Sequence, residues 1–153
     1  MKPLSFLFSF TIFSLSAQNY WQQEVNYKID VELNDTSNTL VGAEEFEYVN
    51  NSPDTLSFLY IHLWPNAYKN GETALAKQQY QNGKQVLKYG ADSIRGSISG
   101  LNFKIDGAKA PWEFQQNNID IAIVTLNNPL IPGESIKVST PFIVELPSGK
   151  VSR

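Results

Sequence analysis

The chain has no cysteine, one histidine and one methionine in 153 residues. Without cysteine it can form no disulfide, no thiolate nucleophile and no thiolate metal site. A protein zinc site draws three or four ligands from His, Cys, Asp and Glu onto one point. His62 alone cannot supply the imidazoles. A Ser-His-acid triad would have to be built on His62, and the sequence holds no Gly-x-Ser-x-Gly elbow for the serine. A strong excess of one charge sign is also missing. Twelve basic against 15 acidic residues give a net charge of −3, with no basic patch, so nucleic acid is not an expected partner. The expectation is a chain with no catalytic residue, no metal ligand and no cofactor of its own.

Long apolar runs are scarce too, and the exception lies at the start. Lys2 precedes Leu4–Leu15, a run broken by small hydroxyl residues, and Ser16-Ala17 precedes Gln18. That is the layout of a secretory signal over residues 1–17. The run is too short for a membrane span, which needs about 20 apolar residues. Export to the periplasm or the extracellular space is therefore expected. Residues 18–153 then form one domain's length. Stability outside the cell must come from packing, since no disulfide is available.

What is present reads as strands and turns. Val25, Tyr27, Ile29, Val31 and Leu33 alternate with polar residues, a half-buried strand. Asn34–Asn38 is a polar turn into a partner strand over 39–50. There Leu40, Gly42, Phe46 and Tyr48 share one face, and Val41, Glu45 and Glu47 the other. Gly42 marks a bulge or a close backbone approach. In the strand 55–64, Leu59, Ile61 and Leu63 lie on one face and Phe58, Tyr60, His62 and Trp64 on the other. Both faces want cover. Residues 65–96 are irregular, with two helical turns expected over 72–80. Further strands are expected over 97–105, 118–126 and 135–146, the last interrupted at Pro141, which fits an edge position or a bulge. The fold class is all-β: an antiparallel or mixed β-sandwich with one long irregular loop and little helix.

Candidate residues are few. His62 among aromatics reads as a packed, hydrogen-bonded side chain. Glu45 and Glu47 share a strand face with solvent, although paired carboxylates can perform acid–base chemistry. Trp112, after Pro111, is the aromatic best placed for exposure and ligand binding. Asn34-Asp35-Thr36 and Asn50-Asn51-Ser52 match the N-glycosylation acceptor pattern.

Three segments together resemble the N-terminal domain of aminopeptidase N-type zinc metallopeptidases, a gluzincin family, in its secreted bacterial branch. They are residues 27–33 with Leu40-Val41-Gly42, residues 50–56 leading to Ile61-His62-Leu63-Trp64-Pro65-Asn66-Ala67-Tyr68, and Ile131-Pro132-Gly133-Glu134. The resemblance implies a non-catalytic sandwich that walls an active-site cleft and docks on a downstream catalytic domain of the same polypeptide. Phe58, Tyr60, His62 and Trp64 are the expected docking face. Zinc and the peptide substrate would belong to the longer parent, because the family's His-Glu-x-x-His and Gly-x-Met-Glu-Asn motifs have no counterpart among these residues. The uncovered aromatic face and the turn-like tail 147–153 point to missing downstream sequence. The alternative is a free-standing exported module that binds carbohydrate or protein through Trp112 and the loop 65–96.

Overall fold

The computed structural model describes residues 20–148. The signal-like residues 1–17 and the tail beyond Ser148 lie outside the described residues. The strands are β1 (Glu24–Asn34), β2 (Thr39–Val49), β3 (Leu56–His62), β4 (Ser97–Ser99), β5 (Lys104–Ile105), β6 (Ala108–Lys109), β7 (Trp112–Gln115), β8 (Asn118–Leu130) and β9 (Ser135–Glu145). They form two antiparallel sheets. The larger has the order β1-β2-β9-β5-β6, with β4 also on β9, and the smaller has β3-β8-β7. This is the all-β sandwich that the alternation predicts.

The β1–β2 hairpin pairs without a register shift from Glu24↔Val49 to Asn34↔Thr39. Its turn is shaped by Asn34, whose Oδ1 accepts from the amides of Thr36 and Ser37 at 3.1 Å. Asn38 follows in the left-handed region at φ 53°. Gly42 is not a bulge. It is a close approach: a Cβ there would lie 2.5 Å from the Asp30 carbonyl and 2.7 Å from the Phe142 ring.

The core forms where the small sheet covers the large one. Phe46, Leu59, Leu63, Phe103, Val124 and Val138 are among its buried members. The small sheet has three strands against six, so it cannot cover the whole inner face. β1 shows the consequence. Its apolar row was expected to be half-buried, yet Tyr27, Ile29, Val31 and Leu33 are all more than half exposed. Period-2 patterning puts these side chains on one face but cannot say whether anything lies over it.

Other boundaries also move. The expected strand 97–105 is two short strands, β4 and β5, separated by Gly100 at φ 72°. Asp106 and Gly107, at φ 50° and 83°, make the tight β5–β6 turn. β6 and β7 are additional strands in a stretch that lacks clear alternation. β8 continues through Asn127-Asn128-Pro129, which composition marks as a loop. The pairing with β3 shifts register there, between Leu56 and Phe58, and this bulge accommodates the proline. Pro141 does not interrupt β9. It sits between the β5 partner Ser139 and the β4 partner Ile143, where that edge of β9 has no strand beside it.

The stretch 65–96 is partly helical. Pro65 opens a 3-10 turn over Trp64–Tyr68. Helix α1 (Ala74–Gln81) is capped by Thr73, whose Oγ1 accepts from the Ala76 amide, and α2 (Val86–Tyr89) follows. Arg95 closes the segment by donating to the carbonyls of Leu87 and Gly90 at 2.7 and 3.2 Å. Among the described residues no helix is long and apolar enough to cross a membrane.

Candidate interaction surface

The residues singled out on β3 come together. Leu59 and Leu63 are buried, whereas Phe58, Tyr60, His62 and Trp64 are exposed. The two-residue period makes them one outward row. Phe58 meets Tyr60 edge-on with ring centroids 5.1 Å apart, and His62 lies against Trp64 at 4.0 Å.

This row borders a groove. Beside β3, the uncovered inner face of β1 and β2 leaves a hollow of about 330 Å³ between Tyr27, Glu44, Phe46, Tyr60, His62 and Trp64. A second hollow of about 210 Å³ continues past Glu44 and Trp64 to Ile98, Phe142 and Val144. Glu44, Ile61, His62 and Trp64 line both. The floor is apolar apart from Glu44. Burial pushes the Glu44 carboxyl above its ordinary pKa, because the charged form loses hydration. At the rim, His62 Nε2 and Asp120 Oδ2 stand 3.2 Å apart. Asp120 Oδ1 is buried without a partner among the described residues.

Sequence reasoning missed Glu44 and Asp120 as parts of this surface. The alternation placed Glu44 with Leu40, Gly42 and Phe46, so its inward direction was available from spacing. Asp120 becomes important only when β8 is laid beside β3, and spacing carries no sign of that. Glu45 and Glu47 occupy the outer face, with Lys28 opposite Glu45 and Lys137 opposite Glu47. They form a solvated face remote from the groove.

Trp112 is not a loop residue. It opens β7 opposite Val124 and is half-buried, edge-on to Phe103 at 5.5 Å and to Phe114 at 5.3 Å. With Lys109, Ala110 and Pro111 it still lines an open hollow of about 480 Å³.

Two asparagines have structural work. Asn50 is fully buried. Its amide donates to the carbonyls of Asp54 and Leu130 at 2.8 and 3.0 Å, and its Oδ1 accepts from Ser52 Oγ at 2.6 Å. The acceptor pattern at Asn50 therefore describes a structural clamp. Asn66 donates to the Ile119 carbonyl at 2.9 Å and accepts from the Ile98 amide at 3.1 Å, tying the 3-10 turn to β8 and β4.

The ligand set does not fit zinc. No group of three His, Cys, Asp or Glu side chains converges among the described residues. His62 and Asp120 stop at two, and neither has a further ligand beside it.

No protein-family model matches the chain. No curated protein matches it either. Solved structures do. The chain aligns over 85% of its length with an M1 zinc metallopeptidase from Deinococcus radiodurans bound to a Tyr-Ser-Ala substrate, at 14% identity and a TM-score of 0.50. A second structure of an M1 zinc metallopeptidase from that organism aligns over 79% of the chain at 15% identity, with a TM-score of 0.48. The likeness is one of fold, and it is to the N-terminal domain of these enzymes. The chain spans 20–22% of the length of the structures it matches.

Proposed function

We propose that this chain is the non-catalytic N-terminal β-sandwich of an exported zinc metallo-aminopeptidase. In this reading it docks on a catalytic domain of the same polypeptide, walls the cleft in which peptides lose their N-terminal residues, and leaves zinc to that domain. Likeness of fold to the N-terminal domain of M1 peptidases supports the reading. The observation that carries the docking role is the uncovered inner face of the large sheet beside the β3 row. An apolar surface that is continuous across Tyr27, Tyr60 and Trp64 is the usual mark of an interface. Export rests on the signal-like residues 1–17.

The free-standing carbohydrate- or protein-binding module is less well supported. Its main residue, Trp112, is half-buried against Phe103 and Phe114.

The test is to read the coding DNA beyond codon 153 and assay what it encodes. An in-frame His-Glu-x-x-His segment, with aminopeptidase activity that requires it, is the expected result. A stop codon immediately after Arg153, together with sugar binding that Trp112→Ala abolishes, would select the other module.

A further inference from the structure

The outer edge of β1 carries a second surface, whose side chains Val25 and Tyr27 also line the groove beside β3. β1 is 11 residues long and pairs with β2 on one side only. Such an edge presents a row of unpaired N–H and C=O groups, which natural proteins ordinarily defend with charged side chains, prolines, bulges, short length or covering segments. Among the described residues β1 has only the first of these, in Glu24, Lys28, Asp30 and Glu32. It contains no proline or glycine, its register with β2 is unbroken, and its apolar row is exposed.

The side chains select what can pair there. Antiparallel pairing of two copies must match outward-facing backbone groups, so the strand meets itself about one central residue. Centred on Ile29, the whole strand pairs. Lys28 then faces Asp30 of the copy, twice by symmetry, and Asn26 faces Glu32. On the other face Ile29 meets its own copy, Tyr27 meets Val31, and Val25 meets Leu33. Neighbouring centres fail on charge. Centring on Lys28 sets Lys28 against itself and Glu24 against Glu32. Centring on Asp30 sets Asp30 against itself, and centring on Val31 sets Asp30 against Glu32. Like charges directly opposite are destabilising. Within its own sheet Asp30 faces Ala43, so β2 offers it no opposite charge.

We propose that two copies of this chain associate through β1, paired antiparallel about Ile29, so that their large sheets become one. The contact is isologous, which closes the assembly at a dimer. It uses the edge of β1 and leaves the β3 row free, while Val25 and Tyr27, which also line the groove beside β3, join the contact.

Sedimentation velocity on the purified chain across the micromolar range tests this, beside D30K, K28D and the double swap K28D/D30K. Lys28 and Asp30 are both exposed, so far-UV circular dichroism should show the same fold in every variant; D30K, whose position faces Ala43, adds no repulsion within the sheet, whereas K28D sets an aspartate opposite Glu45. The expected pattern is a concentration-dependent dimer. Each single substitution replaces two attractions with two repulsions and raises the dissociation constant about tenfold or more. The double swap re-forms both pairs and restores the dimer. A wild-type chain that stays monomeric throughout would overturn the proposal, including the case in which the edge takes a strand of some other protein. A dimer indifferent to both single substitutions would overturn it as well, and would move self-association to the aromatic face.

Discussion

At the scale of single residues, a buried asparagine and a half-buried glutamate show how context decides. Asn50 has both ends of its amide occupied, so it stabilises the turn that joins β2 to β3 and anchors the end of β8. Asn50→Ala leaves the carbonyls of Asp54 and Leu130 without this donor, and should cost about 2 kcal/mol in urea denaturation. Glu44 has the reverse balance. Its carboxyl loses hydration on folding, so its folded pKa is raised. The sign follows from linkage. Between the ordinary value of 4.5 and the raised folded value, the native state binds more protons than the unfolded chain, so stability falls as pH rises through that window. Above the window the full penalty remains. In Glu44→Gln this part of the pH dependence should vanish, and the variant should be the more stable near neutrality, measured as thermal midpoints from acid to neutral pH. Glu44's direction was legible in the alternation of β2. Its cost was not, because that depends on which residues surround it in space.

At the scale of elements, patterning was reliable where an element is long and its turn is explicit. β1, β2 and β3 follow from period 2 and from the polar turns at 34–38 and 51–54. Gly42 shows how one position couples elements: β1's Asp30 carbonyl and β9's Phe142 ring both press on it. Gly42→Ala should therefore destabilise the sandwich by about 2 kcal/mol, the scale of overpacking, with the loss read from urea midpoints. The short strands β6 and β7 were hidden because two to four residues cannot display a period. Composition marks Pro129 as a loop residue and it lies in a strand, whereas Pro141 occupies the kind of unpaired edge position expected of it. Pro129 and Pro141 both lie inside strands, one at a register shift and the other beside a gap between partner strands. A missing N–H excludes a ladder hydrogen bond, and these positions do not require one.

At the scale of the molecule, a three-stranded sheet cannot cover a six-stranded one. That mismatch leaves the apolar floor beside β3 open. If a second domain covers it, Phe58→Ser combined with Tyr60→Ser should change the stability of the isolated chain by less than about 0.5 kcal/mol, since both rings are already exposed. In a longer polypeptide that carries the second domain, the same pair should lower the thermal midpoint. An equal loss in both proteins would show that the row serves only this sandwich. Composition and period by themselves determined the all-β class, the first three strands and the outward aromatic row of β3. Each of these depends only on which residues exist and on how side chains alternate along an extended backbone. Tertiary structure decided which apolar faces are covered, that Glu44 lines a groove, that Asp120 meets His62, that Trp112 packs inward and that β1 ends the sheet. Those outcomes depend on which strands become neighbours, and a local pattern of two or three residues carries no information about partners far along the chain.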